Sequence, residues 1–330
     1  MLEAAPPALQ TFREPVADRL DAVRERIAEI VSAEFEALDR VADHLLQMKG
    51  KLLRPTLLLL CNEVGGDPAD REEAVTLASV VEMVHVATLV HDDAVDHSVR
   101  RRGMPTVNAR WTHQVAIIMG DFLYSRAVTE IARLGDVEAI ELLASAANRM
   151  TVGEMRQLTS HDALEFDEED YRLLCECKTA SLMATACELG AMFGTPAHRA
   201  ALRDYGHRLG MAFQVTDDLL DYTASVGQTG KPSGQDLREH KVTLPLIAAL
   251  PRMDESGRSR VERLFEDPEP SDDLVAEVRD LVERSGGLEA ARRRAAEHVS
   301  AARARLREVP EGPARRALDR TAEFVESRRH

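Results

Sequence analysis

Apolar residues recur at spacings of three and four through most of this chain, and almost nowhere in strict alternation. Val75, Ala78, Val81, Val84/His85 and Thr88 form one such row. That period lines side chains along one stripe of an α-helix. Ala, Leu, Glu and Arg, the strong helix formers, are abundant. Val-rich alternation bounded by turn residues is scarce, so no sheet is expected. The reading is all-α, with helices over 16–47, 51–64, 69–97, 112–133, 136–162, 167–192, 198–223, 241–250, 257–266, 272–285, 287–308 and 311–327. The breaks carry turn chemistry: Gly65-Gly66-Asp67-Pro68, Gly103-Met104-Pro105, Gly194-Thr195-Pro196 and the loop Gly227–Gly234. The 330 residues are read as one large domain, 1–330, with 1–15 a loose N-terminal segment. The charge-rich part from Leu274 onward is read as a cover for the core.

Composition narrows the function. Apolar residues make up 44% of the chain, which excludes disorder of the whole. The net charge of −15 disfavours nucleic acid and anionic membranes, and 8 Phe, 4 Tyr and 1 Trp offer few stacking platforms. Four cysteines in so long a chain do not make a disulfide framework. Met1–Leu20 lacks the apolar stretch of a signal peptide, and no run approaches the roughly 20 apolar residues of a membrane span. A cytoplasmic, reduced setting is expected.

Two acidic motifs carry the chemistry. His91-Asp92-Asp93-Ala94-Val95-Asp96 ends a long apolar helix. Asp92 and Asp96 are one turn apart on one face, about 6 Å along the axis, with Asp93 rotated by about 100°. The helix C-terminus disfavours this cluster of anions, so a hard divalent cation with oxygen ligands is the natural counter-charge. The pattern returns at Asp217-Asp218-Leu219-Leu220-Asp221, again closing an apolar helix. One copy reads as a cap or a solvated face. Two copies read as facing helices that offer six carboxylates across a cleft. Magnesium suits them, because it bridges protein carboxylates to substrate phosphates. An EF-hand is rejected, since its ligands lie in a Gly-containing loop.

Basic clusters stand out in so acidic a chain: Lys49-Gly50-Lys51-Leu52-Leu53-Arg54-Pro55, Arg100-Arg101-Arg102, Lys178-Thr179, Lys231 and Lys241. Each alone is a solvated face; beside the carboxylates they read as diphosphate capture. His85 lies two turns before Asp92 on nearly the same side and is read as a diphosphate contact. Gly227-Gln228-Thr229-Gly230-Lys231 fails as a P-loop, because Pro232 stands where Ser or Thr is needed. Cys175 and Cys177 sit on roughly opposite helix faces and do not suit zinc. Cys61 and Cys187 read as core.

These residues resemble the trans-polyprenyl diphosphate synthase family, especially its medium- and long-chain members. The likeness runs from about Gly50 to Pro245 in the family's order. It includes Gly50-Lys51-x-x-Arg54-Pro55, Glu82-Met83-Val84-His85, both Asp motifs, Arg101-Arg102-Gly103 and Gly120-Asp121-Phe122-Leu123. It continues through Gly153-Glu154-x-x-Gln157, Lys178-Thr179, Phe213-Gln214, Gly230-Lys231, Asp236-Leu237 and Lys241-x-Thr243-Leu244-Pro245. A weaker match reaches Phe324–Arg328. His240 departs from the pattern, since the family commonly has Gly there.

The resemblance implies an all-α bundle around a deep central cavity, a homodimer, and three magnesium ions per active site. It implies head-to-tail condensation of isopentenyl diphosphate onto an allylic diphosphate. Lys51, Arg54, His85 and Arg102 would hold the isopentenyl diphosphate. Arg101, Lys178, Thr179, Gln214, Lys231 and Lys241 would hold the allylic one. Asp92, Asp96 and Asp217 would be the principal magnesium ligands, with Asp93, Asp218 and Asp221 in support. The catalytic set is then Asp92, Asp93, Asp96, Lys178, Asp217 and Asp218. Arg328 and Arg329 would close the isopentenyl site. In this family bulky residues just before the first Asp motif stop elongation. Ala87 and Thr88 are small here, with Val84 and Val81 deeper, so the expected product exceeds C20. Its release is compatible with transient membrane contact. The rival readings are a short-chain farnesyl or geranylgeranyl synthase, a class I terpene cyclase, and a partner subunit of a heteromeric synthase. The scarcity of aromatics argues against the cyclase, and the intact Asp motifs against the subunit.

Overall fold

The computed structural model describes residues 11–33, 35–48, 50–66, 71–159, 165–223 and 233–328. The expected sites Lys231 and Arg329 lie outside the described residues. In chain order the helices are α1 (Ala17–Val31), α2 (Glu36–Gln47), α3 (Leu53–Glu63), α4 (Arg71–Val95), α5 (Val107–Arg110), α6 (His113–Arg133), α7 (Val137–Thr159) and α8 (Glu168–Cys175). There follow α9 (Ser181–Met192), α10 (Arg199–Thr223), α11 (Gln235–Arg238), α12 (Leu244–Ala249), α13 (Glu255–Glu266), α14 (Asp272–Arg284), α15 (Gly287–Arg305) and α16 (Pro313–Ser327). The fold is all-α, as the period requires.

The expected helix 16–47 is two helices, α1 and α2. No Gly or Pro marks the break. Ser32 turns extended, with ψ 131°, and the Asp39 carboxylate accepts the Ala33 N–H at 2.9 Å. A short polar side chain has taken a backbone donor that a helix would have used. Elsewhere the starts are capped as the residue types dictate. Thr112 caps α6 through Val115 N–H, Ser271 caps α14 through Leu274 N–H, and Asp167 and Asp170 form a reciprocal capping box on α8. Between α8 and α9 the residues Glu176–Ala180 form a π-helical turn.

Among the described residues the sheet is a two-residue hairpin that the helical reading did not foresee. Arg100-Arg101 pairs antiparallel with Met104-Pro105. The turn residues Arg102 and Gly103 have φ of +50° and +78°. Left-handed backbone at both central positions marks a type I′ turn, which Gly enters freely and Arg at a cost of roughly 1 kcal/mol.

The chain forms two compact units. One comprises Met1–Ala147, Leu182–Gly206 and Leu306–Arg320. In it α4 packs against α1, α3 and α6. α3 is apolar through Leu57–Cys61 and buried from Leu53 to Asn62, its polar Arg54, Thr56 and Asn62 included. Leu57–Leu60, Leu77, Val80, Val81 and Val84 are fully buried, each worth about 1.5–3 kcal/mol. Phe12 is fully buried too, within the segment expected to be loose. α4 is itself long and apolar enough to cross a membrane, its best window having a mean hydropathy of 1.6, which amends the expectation that no run approaches a span. Two thirds of that window is buried inside the protein, as befits a core helix.

The second unit comprises Asn148–Ser181, His207–Arg305 and Thr321–His330. Here α12 packs against α8, α14 and α15, and α13 against α14. Val215, Leu219, Leu237, Leu246, Val261, Val278 and Val282 make its core. It carries the second acidic motif on α10.

Candidate active site

In the first unit the acidic motif ends α4. The Asp96 N–H still bonds to Asp92 O at 2.8 Å, so the helical register continues to Asp96. Asp92 is half-buried and Asp96 exposed, one turn apart on one accessible face. Asp93 is turned inward, 5% exposed, and accepts from Arg101 Nε at 2.7 Å. Its other oxygen is buried without a partner. Asp93 therefore holds Arg101 in place. His91 meets Ile117 O at 3.1 Å and fastens the end of α4 to α6.

The hairpin divides the arginine run. Arg101 turns to Asp93, while Arg102 donates to Met48 O at 3.0 Å. Arg54, in the first turn of α3, is 9% exposed, and burial pulls its pKa down to about 10. His85 keeps part of its surface open. Burial and the neighbouring Arg54, Arg102 and Arg101 hold its pKa well below the usual histidine range. It is a neutral imidazole, not a further cation. Lys51 is exposed just before α3. Arg54, His85 and Arg102 thus share one electrostatic neighbourhood.

In the second unit a chain of side chains connects the expected residues. Thr179 Oγ1 donates to Gln214 Oε1 at 2.7 Å, and Gln214 Nε2 donates to Asp218 Oδ1 at 2.9 Å. The hydroxyl of Tyr171 donates to the other oxygen of Asp218. Burial pushes the Asp218 carboxyl up to about 7, against the two hydrogen bonds that favour its charge. Lys178 pairs with Glu154 and donates to Gln157 Oε1 at 2.8 Å. Lys178 and Thr179 both sit in the π-helical turn, an irregularity frequent at functional sites.

Asp217 is exposed and Asp218 buried, so the two adjacent carboxylates face different surroundings. Asp217 is paired at 3.0 Å with Arg328, whose guanidinium lies 4.5 Å from the Phe213 ring centre. Asp221 accepts the Gln235 and Asp236 N–H groups at 3.1 and 3.0 Å, capping the start of α11. Its geometry is that of a residue ordering the chain around Asp217. Lys241 pairs with Glu239 at 2.7 Å. His240, preceding it, has φ +53°, the left-handed conformation that explains a glycine at this position. Its Nε2 lies 2.9 Å from Asp267 O, a bond glycine cannot make.

Tyr171, Glu154 and Gln157 were not assigned roles from sequence. Glu154 and Gln157 are one turn apart on α7, a spacing that could have revealed them; nothing local points to Tyr171. Val81, Val84 and Ala87 are buried in α4, and the Thr88 hydroxyl is turned onto His85 O at 2.8 Å. On another face of α4 a cavity of about 50 Å³ is lined by Glu82, Met83 and Val86 with apolar residues of α1, α2 and α6. A separate open groove of about 540 Å³, lined by residues including His44, Arg110 and Trp111, contains none of these site residues.

The donors fit a divalent metal. Asp92 and Asp96 present hard oxygen ligands side by side, and Asp217 is accessible on its own helix. Among the described residues no three His, Cys, Asp or Glu side chains converge on one point. Carboxylates so arranged suit an ion whose remaining ligands are water and phosphate oxygens.

The family model described as polyprenyl synthetase matches residues 35–282. The chain belongs to the polyprenyl synthetase family. It is a trans-polyprenyl diphosphate synthase, joining isopentenyl diphosphate to an allylic diphosphate. This synthase is 38% identical to the short chain isoprenyl diphosphate synthase of Methanothermobacter thermautotrophicus, over 93% of its own length and 94% of the other. It is 34% identical to the octaprenyl diphosphate synthase of Escherichia coli K12, covering 94% and 96%. Among solved structures, the polyprenyl synthase of Caulobacter crescentus CB15, complexed with calcium and isoprenyl diphosphate, aligns with a TM-score of 0.92. That alignment has 35% identity and covers 98% of each chain. Family members use a divalent metal, in keeping with the carboxylate chemistry above.

Proposed function

We propose that this synthase makes an all-trans polyprenyl diphosphate longer than C20, using magnesium. The supporting observation is the α4 row itself, where Ala87 is small and buried, with Val84 and Val81 beneath it. Similarity to an octaprenyl synthase supports the same reading; similarity to a short-chain synthase keeps the rival alive.

Asp92, Asp96 and Asp217 would hold magnesium on the allylic diphosphate, three ions per site, with Asp93, Asp218 and Asp221 ordering their surroundings. Lys178, Thr179, Gln214, Arg101, Lys231 and Lys241 would hold the same diphosphate; Lys51, Arg54, His85 and Arg102 would hold isopentenyl diphosphate. Bound magnesium supplies charge for the departing diphosphate. Heterolysis sends the C–O electron pair to that diphosphate, where the fixed cationic side chains stabilise the developing charge. The isopentenyl double bond attacks the allylic cation, and loss of a proton, taken by the diphosphate, restores an alkene. Apolar side chains of α4 keep water from the cation. The enzyme works as one catalytic domain, as a homodimer, in the cytoplasm.

The test is product chromatography. Purified protein alone, with magnesium, isopentenyl diphosphate and labelled farnesyl diphosphate, should yield products beyond C20. Products ending at C20, or at C15 when labelled geranyl diphosphate replaces the farnesyl substrate, would establish the short-chain reading, and no turnover with either primer without a second chain would establish the subunit reading.

A further inference from the structure

Glu82 is a carboxylate buried in α4, 6% exposed, and no step of the reaction uses it. Burial raises its pKa, while Arg54, Arg102 and Arg13 oppose the rise. Glu82 in turn acts on each of these three guanidinium groups. A Cβ placed on Gly50 would stand 2.9 Å from Arg102 Nη1 and 3.2 Å from Glu82 Oε1. Arg102 and Glu82 therefore both lie against the backbone of Gly50, and a side chain there would push them away. One carboxylate thus offsets the mutual repulsion of arginines that burial would otherwise make costly.

Arg13 comes from the turn before α1. The neighbouring Phe12 and Val16 are 0% and 1% exposed, which fixes that turn to the core. Burial, Arg24 and Glu82 set the Arg13 pKa at about 10. Nε and Nη2 of Arg13, and Nε of Arg54, are buried without a hydrogen-bond partner. Unfilled charged donors in a cationic cluster call for an anionic acceptor.

We propose that Glu82 is the positioning residue of the isopentenyl diphosphate site, holding Arg54 and Arg102 in the orientation that receives the diphosphate, with Arg13 of the N-terminal segment adding its charge to the same cluster. This rests on the reading of Arg54 and Arg102 as ligands of that diphosphate. Glu82 does not touch substrate; it acts through the two arginines. Without its charge the guanidinium groups separate, and the site must be reassembled at each binding event.

The experiment measures kcat and both KM values for the purified enzyme with magnesium, in Glu82→Gln, Glu82→Asp, Arg13→Gln and Arg54→Gln. Glu82→Gln should raise KM for isopentenyl diphosphate about tenfold, with KM for the allylic substrate changed less than about twofold. Glu82→Asp should recover part of that loss. Arg13→Gln should raise the same KM about threefold, and it carries the test if Glu82→Gln fails to fold. Calorimetric titration with isopentenyl diphosphate alone should show the same order of affinities. An unchanged isopentenyl KM in Glu82→Gln and Arg13→Gln, beside a raised one in Arg54→Gln, overturns the proposal. An equal rise in both KM values with a lowered melting temperature also overturns it, as a merely structural role would give that. An unchanged isopentenyl KM in Arg54→Gln overturns the reading beneath it.

Discussion

Arg328, near the end of α16, is bonded to Asp217 at 3.0 Å, and its guanidinium lies over Phe213. Its side chain is 9% exposed, and Nε and Nη1 are buried without partners. A cation other than a metal ion is thus already paired with a carboxylate assigned to metal. Arg328→Gln should remove that competitor and tighten magnesium binding to Asp217. It should also lower stability by about 1–3 kcal/mol through the lost pair and cation–π contact. Magnesium titration by calorimetry and thermal melting of the metal-free protein measure the two effects. Weaker magnesium binding in the variant would refute the competition.

Asp92→Asn should lower kcat roughly 100- to 1,000-fold by removing a proposed metal ligand. Asp93→Asn acts differently, because Asp93 holds Arg101 at 2.7 Å. Its expected signature is a raised KM for the allylic substrate, with the magnesium concentration for half-maximal rate nearly unchanged. Steady-state kinetics at varied magnesium separates the two carboxylates.

Asp218 makes the stability of the metal-free protein depend on pH. Its folded pKa, about 7, lies above its ordinary value of 3.8. Between those values the folded state keeps a proton that the unfolded state has released. The contribution is fully present below pH 3.8 and is lost as pH rises through about 7. Asp218→Asn should flatten this part of the profile. The measurement is the thermal midpoint between pH 4 and pH 8, compared with wild type. A parallel profile in the variant would remove Asp218 as the source.

Ala87→Phe places an aromatic ring in a residue position that is 2% exposed. Products should shorten, and stability should fall by about 1–3 kcal/mol from overpacking. Thr88→Phe should shorten them with less loss, since Thr88 is only half-buried. Thin-layer or liquid chromatography of the dephosphorylated products reads the length. Unshortened products in both variants would place the limit to elongation elsewhere.

His240→Gly exchanges two effects of similar size. It relieves left-handed strain at φ +53° and loses the bond to Asp267 O. The net stability change should lie within about 1 kcal/mol. Urea melts of the variant check this.

Much of the site was legible because charge at a helix end demands a counter-charge. Both Asp motifs announced themselves through spacing alone, and the helical period carried most of the fold. Three features were not legible, each for a physical reason. The break at Ser32 depends on Asp39 reaching back to a backbone donor six residues earlier. The hairpin depends on Arg102 accepting left-handed backbone, which the amino-acid type disfavours. The bond from Tyr171 to Asp218 joins residues 47 positions apart and leaves no local pattern. Adjacent aspartates also look alike in sequence. Burial divides them, sending Asp93 and Asp218 inward while Asp92 stays half-buried and Asp217 exposed.

The π-helical turn at Glu176–Ala180 makes this stretch sensitive to chain length in a way that its composition conceals. Such a turn accommodates one more residue than a regular helix of the same rise. Deleting a single residue there would restore ordinary winding and leave the flanking segments close to their present register, whereas adding one would rotate the upstream segment by about 100° about the axis. Tyr171 would then swing off its carboxylate although no existing amino acid had changed. Single-codon insertions across 176–180 should therefore be far more damaging than single-codon deletions at the same places.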